Sequence, residues 1–377
     1  MAAKKKTSAA DLIGSADGRT DKLALNRLKN EISFLKKENK DLIEALEDSN
    51  ARVELLASLD TNDSPVVIKR REKKSRQREA TAFIMCSDWH VGEEVRRETT
   101  NGYNEFNPAI ARYRVEKLAE GAAWLVNFHR NEDNKPHGQR FYIRDVVINL
   151  IGDMITGWLH QDQRVTNTLL PTPEVLEAYD LIKYMIDYIL QEVQPESLTI
   201  TGNFGNHARM TMKTLHSAQA ETSLEWLIYQ FLRRQYTDDK RVKFAICGGK
   251  LLRLECYDTT VRVSHGDDIG YGGGIGGVTI PINKAIKAWN QTWHADLDLM
   301  GHWHQYVSLP YLNINSSLIG YSPYGIKIKA PYEPPTQSFF LIEPFKGKRA
   351  DNRIWVQSSN ELEQAKRALE KNKLRVR

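Results

Sequence analysis

The sequence predicts an α/β protein that carries an N-terminal α-helical coiled coil, and three observations lead there. Apolar runs that read as buried strands alternate with amphipathic helical stretches, and strand patterns dominate the second half. The polar residues with chemistry to offer gather where those strands end, which is where α/β proteins build their sites. Ahead of this, leucines recur by threes and fours over residues 25–56.

Residues 1–20 are small and polar and read as a disordered N-terminus. Residues 21–60 read as a dimerisation helix. Leu25, Leu28, Ile32, Leu35, Asn39, Leu42, Leu46, Ser49, Val53 and Leu56 form an a/d seam unbroken by Pro or Gly. Glu31 at g and Lys36 at the next e suit a parallel pair, and Asn39 at an a position favours two strands in fixed register. A homodimer is therefore expected; the alternative is one amphipathic helix packed on its own domain. Residues 61–79 are a basic linker, and 80–357 form the main domain. Within it "TAFIMCSDWH" reads as a buried strand, "PAIARYRVEKLAEGAAWLVNFHR" as a helix and "RDVVINLIGDMITG" as another buried strand. "TPEVLEAYDLIKYMIDYILQEVQ" is a long helix with a Thr N-cap signal, "ESLTITGNFGNHAR" a strand and loop, and "AETSLEWLIYQFLRRQ" a helix. Mostly strands follow: "VKFAI", "KLLRLEC", "TTVRVSHG", "LDLMGHWH", "YLNINSSLI", "SFFLIEP" and "RIWVQ". Residues 358–377 are a basic C-terminal helix or tail.

The net charge of +5 sits in two short segments. Lys69–Arg78 sets seven basic residues against Glu72, and Lys366–Arg377 sets six against Glu370, so the rest of the chain is net acidic. Such segments suit a nucleic-acid backbone. Three cysteines, Cys86, Cys247 and Cys256, with no CxxC, fit a reducing compartment and exclude a disulfide scaffold or a cysteine-rich zinc site. The N-terminal lysines precede no apolar run, and no stretch approaches the ~20 apolar residues of a membrane span. No membrane partner and a cytoplasmic location are expected.

At the strand ends stand Asp88 and His90 in "SDWHVG", Asp153 in "IGDM", Asn206 and His207 in "GNHA", His265 in "SHGDD", and His302 and His304 in "GHWH". Five of the ten histidines fall there. In a strand, residues two apart face one side, so His302 and His304 could share a site while Trp303 packs behind, as Trp89 would between Asp88 and His90. Carboxylates with imidazoles suit Mn, Fe or Zn. One cation cannot use seven such ligands, so two divalent ions are implied, Mn first among the candidates.

The ordered motifs D-x-H, G-D, G-N-H, H and G-H-x-H resemble those of the calcineurin-like metallophosphoesterases over roughly Ala80 to Gln357. The resemblance implies a four-layer fold, two packed sheets flanked by helices. It implies one metal on Asp88, His90, Asp153 and His304, and a second on Asp153, Asn206, His265 and His302, with Asp153 bridging and Asn203 an alternative to Asn206. A hydroxide between the metals would attack phosphorus in line, and His207 would face the leaving group. Where many members have an acidic residue after this histidine, Ala208 and Arg209 follow here. Arg209 is then a candidate phosphate contact or an ordinary surface arginine, and Asp267 or Asp268 a candidate for the missing carboxylate. The basic segments and expected dimer resemble SbcD-type nucleases and phage-type DNA-repair-exonuclease-like members, which in a phage would act in the host cytoplasm. A nuclease acting on DNA or RNA is the leading expectation. Nucleotide, small-molecule or phosphoprotein phosphoesterases and a non-catalytic coiled-coil adaptor are the alternatives. Gly272, Gly274 and Gly277 satisfy G-x-G-x-x-G with Asp296 downstream, but a glycine-dense run meets that pattern easily and reads better as a loop at the rim of the site.

Overall fold

The computed structural model describes residues 25–26, 28–44, 66–70, 78–130, 141–159, 161–270, 277–364 and 366–367. They fall in two units divided after residue 60. In the first, residues 28–44 form helix α1. Leu28, Ile32, Leu35 and Leu42 along its heptad seam are each more than half exposed. The seam positions from Leu46 to Leu56 lie outside the described residues.

The second unit runs β1 (Val66–Ile68), β2 (Arg78–Cys86), α2 (Pro108–Arg130), β3 (Phe141–Leu150), α3 (Gln161–Thr166), α4 (Pro171–Glu192), β4 (Ser197–Gly202), α5 (Leu224–Gln235), β5 (Val242–Ile246), β6 (Leu252–Cys256), β7 (Thr259–Val263), α6 (Thr279–Trp289), β8 (Leu297–Met300), β9 (Val307–Leu309), β10 (Leu312–Ile314), α7 (Pro323–Lys327), β11 (Thr336–Glu343) and β12 (Gly347–Trp355). One six-stranded sheet has the order β12-β11-β2-β3-β4-β5, the other β1-β6-β7-β8-β10-β9. In the first, β2 to β5 are parallel and β11 and β12 antiparallel. The second is also mixed.

Strands such as β2 and β3 read as continuous apolar runs because both faces are covered. Phe83, Met85, Val147 and Phe340 of the first sheet meet Leu254, Val261, Val263, Leu297 and Leu299 of the second in a shared core. Helices α2, α4 and α5 cover the first sheet's other face. Ile282 and Ile286 of α6 pack on the second sheet against Met300, Leu312 and Ile314. The layers are thus helices, sheet, sheet and helix, consistent with the expected metallophosphoesterase architecture. Among the described residues no helix is long and apolar enough to cross a membrane.

Several local expectations are corrected. Val66–Ile68 lies within the expected linker yet pairs with β6, since its apolar triplet completes a sheet edge. Arg78, counted in the basic run, opens β2, where its Nε donates to Glu343 at 2.7 Å. Residues 71–77 lie outside the described set. Helix α4 has no Thr cap: Leu170, with extended backbone, precedes Pro171, whose fixed φ suits the first helical position. Helix α6 occurs where mainly strands were expected. Ile282 and Ile286 sit one helical turn apart and both face the sheet, the i, i+4 spacing of a helix. The C-terminal helical segment is docked by Glu361, which accepts from the fully buried Arg114 at 2.7 Å. Residues 368–377 and the glycine run 271–276 lie outside the described residues.

Candidate metal centre

Every sequence-predicted ligand lies just past a strand end, not within a strand. Strand β2 stops at Cys86, β3 at Leu150, β4 at Gly202, β7 at Val263 and β8 at Met300. The alternation expected to turn His302 and His304 to one side is therefore not what places them. Asp88, His90, Asp153, His302 and His304 all adopt left-handed backbone, with φ between 48° and 67°. Side chains seldom sit there, and a cluster of such residues marks turns held by their surroundings. Here the turns hold one another. Asp88 N donates to the Gly152 carbonyl at 3.0 Å and His90 N to the Asp153 carbonyl at 3.1 Å.

The turns bring together three overlapping groups: Asp88, His90 and His304; His90, Asp153 and His207; Asp153, His265 and His302. In each, one candidate ligand atom per residue lies within 4.8 Å of the others. His90 joins the first two groups and Asp153 the last two. His207 N donates to Asp153 Oδ1 at 3.0 Å, and His265 Nε2 stands 3.0 Å from Asp153 Oδ2. His265 Nδ1 donates to the Ile151 carbonyl at 2.7 Å, which fixes the ring with Nε2 facing the site. His302 N donates to both Asp88 oxygens at 3.0 Å, and His304 Nε2 lies 3.4 Å from Asp88 Oδ1. Both ring nitrogens of His90 and Oδ1 of Asn206 are buried without a hydrogen-bond partner. Orphaned donor atoms beside two carboxylates fit a divalent cation, because burial without a partner is otherwise costly. Oδ1 of Asn203 is equally orphaned, but its amide nitrogen is tied to the Val263 carbonyl at 3.1 Å.

The charges are mutually dependent. Burial opposes ionisation of Asp153, yet the His265 and His207 imidazoles hold its carboxyl well below the usual range. Burial likewise opposes Asp88, and His304 brings it down. Burial disfavours a charged His265, but Asp153 overrides this and lifts it to about 10. Burial, then the neighbouring His265, lower His302 to about 4. Burial and His207 push His90 well down.

Residues beyond the motifs support these turns. Glu225, buried near the start of α5, accepts from Met154 N at 2.5 Å and Gly205 N at 2.7 Å. Burial, then Asp153, raise it to about 8. Glu174, buried in the first turn of α4, accepts from Thr156 N at 2.6 Å, Gly157 N at 3.0 Å and Gly92 N at 3.2 Å. Half-buried Glu93 lies near His207 and His304; burial raises its carboxyl and the two imidazoles lower it. Nothing in the local sequence distinguishes these glutamates from helix-surface ones, apart from a place in a helix's first turn for two of them. The carboxylate proposed to orient His207 is not Asp267 or Asp268, which bind Lys250 at 2.8 and 3.3 Å. His207 Nδ1 instead faces the Thr156 carbonyl at 3.1 Å and Gln163 Nε2 at 2.6 Å. Arg209 is half-buried, and its Nε donates to the Thr211 carbonyl at 3.3 Å.

No protein-family model and no curated protein matches the sequence. Among solved structures, Vacuolar Protein Sorting 29 from Cryptosporidium parvum is similar at 9% identity and TM-score 0.31, covering 73% of this chain and 97% of that one. A conserved uncharacterized protein from Streptococcus pneumoniae TIGR4, described as a predicted phosphoesterase, is similar at 10% identity and TM-score 0.26, covering 70% and 83%.

Two outcomes follow from the geometry. A Cβ on Gly205 would lie 2.0 Å from Asp153 Oδ1 and 2.5 Å from its backbone nitrogen. Gly205→Ala should displace that carboxylate, costing about 1–3 kcal/mol in denaturant unfolding and reducing bound metal by elemental analysis. An unchanged metal content would detach Gly205 from the site. Second, His265 is raised, so the metal-free site keeps its proton at neutral pH, and a ligand must give it up. Metal affinity should therefore rise with pH towards about 10. Calorimetry at pH 7.5 in buffers of different ionisation enthalpy should register protons released on loading; buffer-independent heats would contradict the His265 assignment.

Proposed function

We propose that this chain is a dimetal phosphoesterase of the calcineurin-like type that hydrolyses phosphodiester bonds in nucleic acid, DNA or RNA. One observation carries the reading: three aspartate–histidine groups are chained together, the first to the second through His90 and the second to the third through Asp153, with the His90 ring nitrogens and Asn206 Oδ1 buried and unsatisfied beside them. Asp88, His90, Asp153 and His304 would hold one divalent ion, manganese first among the candidates. Asp153, Asn206, His265 and His302 would hold the other. When bound, such ions supply Lewis-acid charge and a hydroxide nucleophile near neutral pH.

The chain's own groups have distinct work. Asp153, whose oxygens meet the His207 amide and the His265 ring, joins the two halves. His207 Nδ1 is held between the Thr156 carbonyl and Gln163 Nε2, which leaves Nε2 turned inward, 3.8 Å from Asp153 Oδ2. With its proton on Nε2, the ring would give that proton to the leaving oxygen. A backbone carbonyl thus orients the ring where an adjacent carboxylate is missing. Arg209 is proposed to reach a phosphate oxygen with its terminal nitrogens while its Nε stays on Thr211. The basic segments around Lys69 and after Lys366 would bind phosphates outside the site. The exposed seam of α1 supports a parallel homodimer, and the cysteine usage supports a reducing, cytoplasmic setting.

Manganese-loaded protein should turn over bis-p-nitrophenyl phosphate, and Asp153→Asn should lose both turnover and metal. Cleavage gels with single- and double-stranded DNA and RNA should give strand scission. Turnover of nucleotides alone would move the substrate to a small-molecule phosphoester, and no turnover by the loaded chain would leave a binding role. Light scattering should return twice the chain mass, falling to one on deletion of residues 1–60; a truncated dimer would place the interface elsewhere.

A further inference from the structure

Resting on the nucleic-acid reading, we infer that Trp158 forms a base-stacking subsite on the leaving-group side of the site. The indole belongs to the same turn that positions His207. Two residues earlier the Thr156 carbonyl faces His207 Nδ1 at 3.1 Å. A Cβ on Gly157 would meet the His207 carbonyl oxygen at 2.4 Å, so the two loops are in backbone contact at this point. The turn is clamped from behind by Glu174, through Thr156 N and Gly157 N. Trp158 therefore stands on a fixed support, and yet its side chain is 39% exposed.

The surroundings repeat the same chemistry. Val165 is 86% exposed on α3, and Met210 and Met212 are 60% and 71% exposed in the loop that follows His207. Apolar groups left in water on both loops that flank one imidazole mark a binding surface. Methionine thioethers adapt to flat partners of varied outline. Arg164 is exposed and its Nε donates to the Trp158 carbonyl at 3.1 Å, which ties a guanidinium to the Trp158 backbone. Lys213 is exposed in the opposite loop. A flat ring, adaptable apolar neighbours and cations on either side match an unpaired nucleotide: the base on Trp158, the phosphates on Arg164 and Lys213. A purely apolar protein partner would have no use for the two cations or for the proximity to His207. The site thus selects phosphodiesters whose leaving group carries an unstacked base, which favours single strands and frayed ends over closed duplex.

The test compares manganese-loaded wild-type protein with Trp158→Ala and Trp158→Phe. The probes are a single-stranded oligonucleotide and the same strand with every base removed. Trp158→Ala should lose about 5- to 150-fold in kcat/KM on the base-bearing strand, the range of one base–aromatic stack. It should lose nothing comparable on the abasic strand, and Trp158→Phe should recover most of the activity. Equal losses on both strands would make Trp158 a structural support, and no loss on either would remove it from the site; either overturns the subsite. A change of mass in light scattering on Trp158→Ala, with base-bearing cleavage intact, would assign the patch to self-association and overturn it as well. Failure of the nucleic-acid reading is separate and appears in the wild type: turnover of bis-p-nitrophenyl phosphate with neither strand cut.

Discussion

A carboxylate removed from water must be met by positive charge or by hydrogen-bond donors, and Asp153, 1% exposed, is the place where this chain faces that demand. Its answer is to draw partners from separate parts of the sequence: the backbone of His207, the ring of His265 and the neighbouring His90. Each partner is a donor or a base, and none is a lysine or arginine. The negative charge is thus met by imidazoles, which unlike lysine or arginine can lose their protons. A pairing with imidazole can be given up to a dication, where a lysine or arginine would have closed the cluster. Behind it Glu225 clasps the Asp153 and Gly205 turns, its own carboxyl raised by burial and by Asp153.

The two sheets contribute unlike halves. Asp88, Asp153, Asn206 and His207 follow strands of the first sheet, and His265, His302 and His304 follow strands of the second. The distance between the halves is set by the side chains filling the space between the sheets, Phe83, Met85 and Val147 against Val263, Leu297 and Leu299. Interiors packed to that density transmit small volume changes. The separation of His265 from Asp153 is consequently a property of the core as much as of the turns. The Asn203 amide, bonded to the Val263 carbonyl, pins the sheets together at the same edge.

Much of this was legible from the sequence because strand, helix and site each leave a periodic or clustered trace. Helix α2 was readable end to end, as its 3.6-residue apolar spacing is uninterrupted. The candidate ligands were readable because histidines and aspartates beside glycine after an apolar run have few other uses. What stayed hidden depends on tertiary contact. Helix α6 was passed over because strand patterns surround it, and Val66–Ile68 is too short to declare itself a strand. The reach of Glu174 and Glu225 into distant turns has no local signature. His302 and His304 do serve two halves of one cluster, but through left-handed turns rather than strand alternation, and backbone handedness is weakly encoded by residues other than glycine.

That handedness narrows the replacements each position can take. At Asp88, His90, Asp153, His302 and His304, a β-branched side chain would fail on the backbone before its chemistry was ever asked for. Asparagine and glycine adopt the same turn at little cost. In a saturation library the two kinds of loss would therefore separate. Asn and Gly variants would keep the turn while changing or removing the side-chain donor, whereas Val, Ile and Thr variants would be depleted through misfolding at the same five codons. Abundance and activity, scored side by side, would map the turns independently of the metal.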